Sequence, residues 1–333
     1  AGGPPTLTIR SRGGTLVFRD VWYGDVWLAG GQSNMEWPLA QSDGGEAEIA
    51  ASGDYPLIRY YDAPKAAYDD GIKRESRWRV SGPESAGAFS AVAYHFAKRI
   101  HAALGVPIGI IGCNMGATSA SCWVAEETLE RDPALRVYLD EFRALTENFD
   151  WAAYEEAERA FQEAFRAWQE GEKQGKTKEE LGPVPWPPPM SPISFMRPCG
   201  LYEFMFRRVV PYTLKGFIYY QGEGDAHRPL IYDRLLEALI RNWRDDFGDP
   251  DLPFLFVQLP SFGCDGRPDG EDWALLRESQ ALAAERVPGT AMAVALDLGE
   301  LDDIHPRNKA PVGDRLARLA LDRVYGIPTP CEG

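Results

Sequence analysis

Residues 25–37 read DVWLAGGQSNMEW. The apolar run Asp25–Gly30 is strand-sized and nearly continuous, which suits a strand covered on both faces. It leads into Gly30-Gly31-Gln32-Ser33-Asn34-Met35, so Ser33 falls at a strand end where a helix begins. A nucleophilic serine needs an exposed hydroxyl, a nearby base and backbone N–H groups aimed at the developing oxyanion. A tight Gly-rich strand-to-helix turn supplies the exposure and the donors. The stretch Ser33-Asn34-Met35-Glu36 also matches the S-x-x-E capping box, a purely structural role. On this segment alone the two readings stand level.

Further apolar runs follow at 57–63 (LIRYYDA), 108–114 (IGIIGCN), 216–222 (GFIYYQG), 253–259 (PFLFVQL) and 291–298 (AMAVALDL). Helical patterns lie between them. Phe89, Val92, Phe96, Ile100 and Leu104 share one face, and Gly105 with Pro107 then stops that helix. Tyr232, Leu235, Leu236, Leu239 and Trp243 form another face, with further helices at about 273–287 and 312–325. Strand–helix alternation predicts an α/β sandwich, three-layered, with a mostly parallel sheet and its site at the carboxyl ends of the strands.

The chain has 333 residues, 44% hydrophobic and 26% charged, which excludes wholesale disorder. A net charge of −15 argues against nucleic-acid and anionic-membrane partners, and a neutral substrate fits better than a polyanion. No apolar run nears the length of a membrane span. Without a charged-then-apolar leader, a cytoplasmic enzyme is the expectation, and an exported mature form is compatible. Residues 6–10 and 15–19 flank a Gly-bearing turn and read as a hairpin within a 1–24 lead-in. Residues 25–326 read as the main domain and 327–333 as a tail. The rhythm breaks at 126–190, an insertion whose aromatic residues (Trp151, Tyr154, Phe161, Phe165, Trp168) fall at helical spacing. It reads as a helical hairpin packed on the body, ending in extended, proline-rich residues 183–192. Cysteines 113, 122, 199, 264 and 331 show no C-x-x-C pair and read as free thiols.

Other strand ends also carry polar residues. Asp302-Asp303-Ile304-His305-Pro306 follows the last apolar run, and Asp302 can reach the imidazole Nδ1 across one loop turn. His95 and His101 read as surface residues, and His227 is a distant second choice of base. Gln221-Gly222-Glu223-Gly224-Asp225 and Gly112–Thr118 end two more strands. Four such ends on one sheet edge are much less frequent by chance than any one alone. There is no G-x-S-x-G, P-loop, G-x-G-x-x-G or H-E-x-x-H motif.

These stretches resemble the SGNH (GDSL-like) hydrolases, and more closely their sialate O-acetylesterase-like branch, related to acetylxylan esterases. The resemblance rests on DVWLAGGQSNMEW (25–37), GATSASCW (116–123), residues 197–226 and DDIHPRNKAPVGDRLA (302–317), and covers about 20–326. It implies a flavodoxin-like five-stranded sheet. It implies Ser33 as nucleophile, His305 as base and Asp302 as its partner, with Asp303 as the alternative. It also implies an oxyanion hole from the N–H groups of Ser33 and Gly116 with the Gln221 side chain. Glu223, Asp225 and Trp37 become substrate-binding candidates. Two departures stand out. Ala117 replaces a glycine of the family's Gly-Gly-Thr turn, and Gly224 replaces a polar residue. The family's N-terminal β-sandwich is not expected here, where only the hairpin precedes the main domain.

The implied function is a serine esterase removing O-acetyl groups from a carbohydrate, with no cofactor and no metal. A homo-oligomer is compatible. One alternative is a non-catalytic carbohydrate-binding protein, with Trp37 and Trp123 stacking on sugar rings. Another is a general short-chain esterase.

Overall fold

The structure, a computed structural model, describes residues 5–263 and 271–331. Cys264 lies outside the described residues. The strands are β1 (Leu7–Ser11), β2 (Gly14–Phe18), β3 (Asp25–Gly31), β4 (Ile58–Asp62), β5 (Arg79–Val80), β6 (Ile108–Asn114), β7 (Gly216–Tyr220), β8 (Phe254–Gln258) and β9 (Thr290–Val294). The helices are α1 (Ser33–Glu36), α2 (Gly45–Ala51), α3 (Ala91–Leu104), α4 (Glu126–Arg131), α5 (Arg136–Thr146), α6 (Trp151–Lys173), α7 (Lys178–Leu181), α8 (Gly200–Phe204), α9 (Tyr232–Phe247), α10 (Glu271–Arg286) and α11 (Ala310–Arg323).

β1 and β2 pair as the expected hairpin. The other strands form one sheet in the order β5-β4-β6-β3-β7-β8-β9, parallel except for β5 against β4. The α/β class is as expected, but the sheet is wider than five strands. β9 extends it at one edge, and β5, too short to leave a pattern in the sequence, adds an antiparallel strip at the other. Counted along the chain, the parallel strands lie in the order 2-3-1-4-5-6 rather than the flavodoxin order 2-1-3-4-5. The chain fills one side of β3 with β4 and β6, then the other side with β7, β8 and β9. That reversal opens a crevice beyond the carboxyl end of β3.

Side chains alternate across β3, and both faces are covered. Trp27 meets Phe96 of α3 edge to face, with ring centroids 5.0 Å apart. Gly30, three residues on, faces α9: a Cβ there would lie 2.7 Å from the Trp243 ring. Trp243 is fully buried, stacks on Phe206 at 4.4 Å and donates its indole N–H to Trp123 O at 2.8 Å. α3 is capped by Ser90, which accepts from Ala93 N, and stopped by Gly105 in the left-handed region. The predicted faces of α3 and α9 are buried apart from half-buried Leu104.

Two expectations change. His95 is not a surface residue: α11 crosses α3 so closely that a Cβ at Gly313 would lie 2.7 Å from His95 Cβ. Its ring is half-buried in that seam, and burial pulls its pKa below the usual value. In the 126–190 segment, α5 buries Tyr138 and Leu139 against the body, whereas α6 buries only Gly171. The aromatic face of α6 is met by its own return segment. Trp186 packs on Phe161 and Phe165, and Trp168 Nε1 donates to Gly182 O at 3.2 Å. Among the described residues no helix is long and apolar enough to cross a membrane. Cys113, Cys122 and Cys199 are buried free thiols.

The close approach at Gly30 makes a prediction. Gly30→Ala forces the Trp243 ring to shift and costs about 1–3 kcal/mol by overpacking. Urea unfolding reads this as a lower midpoint at unchanged slope.

Candidate active site

β3 ends in a backbone that only glycine fits: Gly31 has φ +132°, and a Cβ there would meet Tyr220 O at 2.0 Å. The strand therefore hugs β7 to its last residue, and Gln32 N still donates to Tyr220 O at 3.0 Å. The Gln32 side chain is buried, and its Oε1 accepts from Gly224 N at 2.9 Å and Gly222 N at 3.4 Å. Ser33 then opens α1, where the first backbone N–H groups have no intrahelical acceptor. The capping box does not form. Gln32 holds the cap position without a side-chain bond to the N–H groups of α1, and Glu36 points elsewhere.

Ser33 Oγ lies 2.8 Å from His305 Nε2. The loop after β9 brings His305 there, and the imidazole stacks on Trp37 with centroids 5.3 Å apart and planes 22° apart. Trp37 thus backs the His305 ring with one face, while Trp123 is buried and donates to Thr118 Oγ1 at 3.0 Å. The Asp303 carboxylate lies toward the Nδ1 side of the ring. Its Oδ1 accepts from His305 N at 2.8 Å and lies 3.9 Å from Nδ1. Asp302, expected in that place, is exposed. The turn that lets Asp303 bond the backbone two residues on turns Asp303, not Asp302, toward the imidazole.

The expected oxyanion donors divide. Gly116 abuts Ser33: a Cβ there would sit 3.4 Å from Ser33 Cβ. Its N–H donates to Glu36 Oε2 at 2.6 Å, and the other Glu36 oxygen pairs with Lys65. Ala117 takes a left-handed φ of +61°, which a glycine would adopt without steric cost. Gln221 is turned away. Its Nε2 donates to Asp225 Oδ2 at 2.6 Å and Thr118 O at 3.1 Å, while its Oε1 accepts from Tyr232 OH at 2.7 Å. Both amide hydrogens are used, and the buried carboxylate is the stronger acceptor.

Asp225 is fully buried and is part of the scaffold rather than a substrate contact. Besides Gln221 it accepts from Ser119 Oγ at 2.6 Å, Ala120 N at 2.8 Å and Tyr138 OH at 3.1 Å. It thereby ties the end of β7 to the turn after Thr118 and to α5. Glu223 accepts from Asn34 Nδ2 at 2.5 Å, and its other oxygen is buried with no partner among the described residues. Gly224 leaves no room for a side chain, since a Cβ would lie 2.8 Å from Thr118 O. His227 is exposed and accepts from Arg228 Nε at 3.1 Å, apart from this cluster.

Burial governs the electrostatics. It lowers the His305 pKa below 6.5, with the Lys309 charge adding to the effect and Asp303 opposing it. It raises the Glu223 carboxyl above the usual value. It brings Lys309 down to about 8 against the pull of Glu223, Asp303 and Glu300. Among the described residues no three His, Cys, Asp or Glu side chains are grouped to hold a metal ion.

Residues 156–322 match the family described as carbohydrate esterase, sialic acid-specific acetylesterase. The chain belongs to that family. It is 27% identical to the Mus musculus sialate O-acetylesterase, over 98% of this chain and 62% of that protein. It is 26% identical to the Homo sapiens sialate O-acetylesterase, over 94% and 55%. In structure it is similar to a carbohydrate acetylesterase from Xanthomonas citri, with a TM-score of 0.72 and 35% identity over 98% of this chain and 62% of that one. The chain thus spans less than two thirds of the length of these relatives.

Sequence reasoning missed Asn34, Glu36 and Lys309 at the site. Lys309 did carry a signal: it caps the N-terminus of α11, where the helix dipole disfavours a cation. Asn34 and Glu36 carried none beyond their place beside Ser33.

The four donors around Asp225 suit an acceptor-only carboxylate. Asp225→Asn turns an NH2 group toward donors, and thermal or urea unfolding should show a loss of about 2–3 kcal/mol.

Proposed function

We propose that the chain is a serine esterase that removes O-acetyl groups from a carbohydrate. The observation that carries this reading is the 2.8 Å contact between Ser33 Oγ and His305 Nε2, beside the Gly116 backbone. The acetylated sugar class comes from the family and from the names of its relatives.

In this reading neutral His305 takes the Ser33 proton at Nε2 as Oγ adds to the acetyl carbonyl carbon. The carbonyl electrons move to oxygen, and the N–H groups of Ser33 and Gly116 receive that oxyanion. Glu36 vacates Gly116 for this step and keeps its pairing with Lys65. The intermediate collapses, the C–O bond to the sugar breaks, and His305 returns its proton to the sugar oxygen. Water, deprotonated by His305, then attacks the acetyl-Ser33 carbonyl; the C–Oγ bond breaks, Oγ takes the proton back from His305, and acetate leaves. Asp303 stabilises the imidazolium formed in each half-reaction.

Acetate release from 9-O-acetylated sialic acid and from acetylated xylo-oligosaccharide tests the reading. Release from either should fall by roughly 10,000-fold or more in Ser33→Ala. Wild-type turnover in that variant, or no release from both sugars, would overturn it.

The reaction requires neutral His305, whose pKa lies below 6.5. Activity should therefore hold at neutral pH and decline as pH falls through that lowered value. Asp303 is the carboxylate that raises the His305 pKa. Asp303→Asn should lower kcat and move the acid limb to lower pH, and Asp302→Asn should do neither. A pH–rate series on the three proteins checks both.

A further inference from the structure

Lys309 is almost wholly buried, although burying an ammonium is costly unless it is well partnered. A lysine at a helix N-cap also opposes the helix dipole. The hydrolytic steps do not use its side chain. Its surroundings indicate what it does.

Lys309 Nζ donates to Asn34 Oδ1 and lies 5.7 Å from the ring centroids of both Trp37 and Tyr220. The Asn34 amide is oriented by its neighbours. Lys309 is only a donor, so it faces the oxygen. The Glu223 carboxylate and Ile304 O are acceptors, so they face Nδ2, at 2.5 and 2.9 Å. Asn34 follows Ser33 in the chain, and Ile304 precedes His305. One buried amide therefore bridges the neighbour of the nucleophile to the neighbour of the base. Trp37 provides a second link, with His305 stacked on its ring and the Lys309 ammonium near the same ring.

We propose that Lys309, acting through Asn34 and Trp37, is a positioning residue for the esterase reaction, locking α1 to the His305 loop and setting the charge against which the imidazole takes up a proton. This rests on the assignment of Ser33 and His305 as nucleophile and base. The groups facing His305 are Ser33 and Trp37 from the α1 side, Lys309 from α11 and Asp303 from its own loop. Those facing Lys309 are Asn34, Trp37, Tyr220, Glu223, Asp303 and Glu300. Among the described residues, Lys309 is the cation whose charge bears on the ring. It holds the imidazole neutral to lower pH, which agrees with the depressed His305 pKa. It also makes the imidazolium a stronger acid toward the departing sugar oxygen.

The test reads His305 directly. Its ring C–H signal, assigned by its loss in His305→Asn, is titrated by NMR in wild type, Lys309→Met and Lys309→Gln. In parallel, kcat and KM for p-nitrophenyl acetate are measured against pH in the same proteins and in Ser33→Ala. Lys309→Met should raise the His305 midpoint and the acid limb together by roughly half a unit or more. Its kcat at neutral pH should fall about 10-fold or more, with KM within about 2-fold. Lys309→Gln keeps a donor toward Asn34 Oδ1 while removing the charge, and it should raise the midpoint as well. If Lys309→Met fails to fold, the Lys309→Gln midpoint decides. A wild-type midpoint in the Lys309 variants, or an unchanged kcat in Lys309→Met, would overturn the proposal. The NMR titration needs no substrate. Full turnover in Ser33→Ala would sink the esterase reading while leaving the His305 shifts to be judged by themselves.

Discussion

The site depends on a steric constraint at the carboxyl end of the central strand. Gly30 is packed against the Trp243 ring, and Gly31 against the backbone of Tyr220. Because neither position has space for a Cβ, β3 runs unbroken between its neighbours and then turns sharply at Gln32. That turn lifts Ser33 out of the sheet with its hydroxyl free to meet His305. The same packing holds β7, so that Gln32 can bind the backbone of Gly222 and Gly224. The presentation of Ser33 is thus a consequence of close packing beneath it.

Much of this was legible along the chain. Near-continuous apolar runs announced buried strands, and 3-and-4 spacing announced α3 and α9. Ser33 and His305 stood out because polar residues at strand ends converge once a parallel sheet is assumed. Side-chain direction was not legible. Gln221 and Asp225 lie at the expected strand end, yet they bind each other, since a buried carboxylate takes whatever donors surround it. Asp302 and Asp303 differ by one position, and only the local turn decides which faces the ring. Glu36 fits a capping box in one dimension but finds a stronger claim at Gly116 in three. The α6 aromatics showed their helical period without showing that a neighbouring proline-rich segment would meet them.

Charge at the site is arranged in two tiers. Near the surface, Glu36 and Lys65 pair within reach of solvent, and the Glu36 carboxylate rests on the Gly116 N–H. Deeper, Glu223 and Lys309 carry opposite charge with Asn34 between them. Exposed pairs rearrange at little cost, whereas buried ones do not. The outer tier is suited to yielding when a carbonyl oxygen arrives. The inner tier is suited to holding the reacting groups still.

Ser33 and His305 are 272 residues apart in sequence. Gly116 and Glu223 come from between them, and Lys309 sits at the start of the last helix. The site therefore has no existence in any substantial fragment of this chain. Ser33 enters the chain early, whereas the His305 loop and α11 complete the site only at its end. On the proposed function, turnover would accordingly report completed folding more stringently than helix content, to which every helix before α11 already contributes.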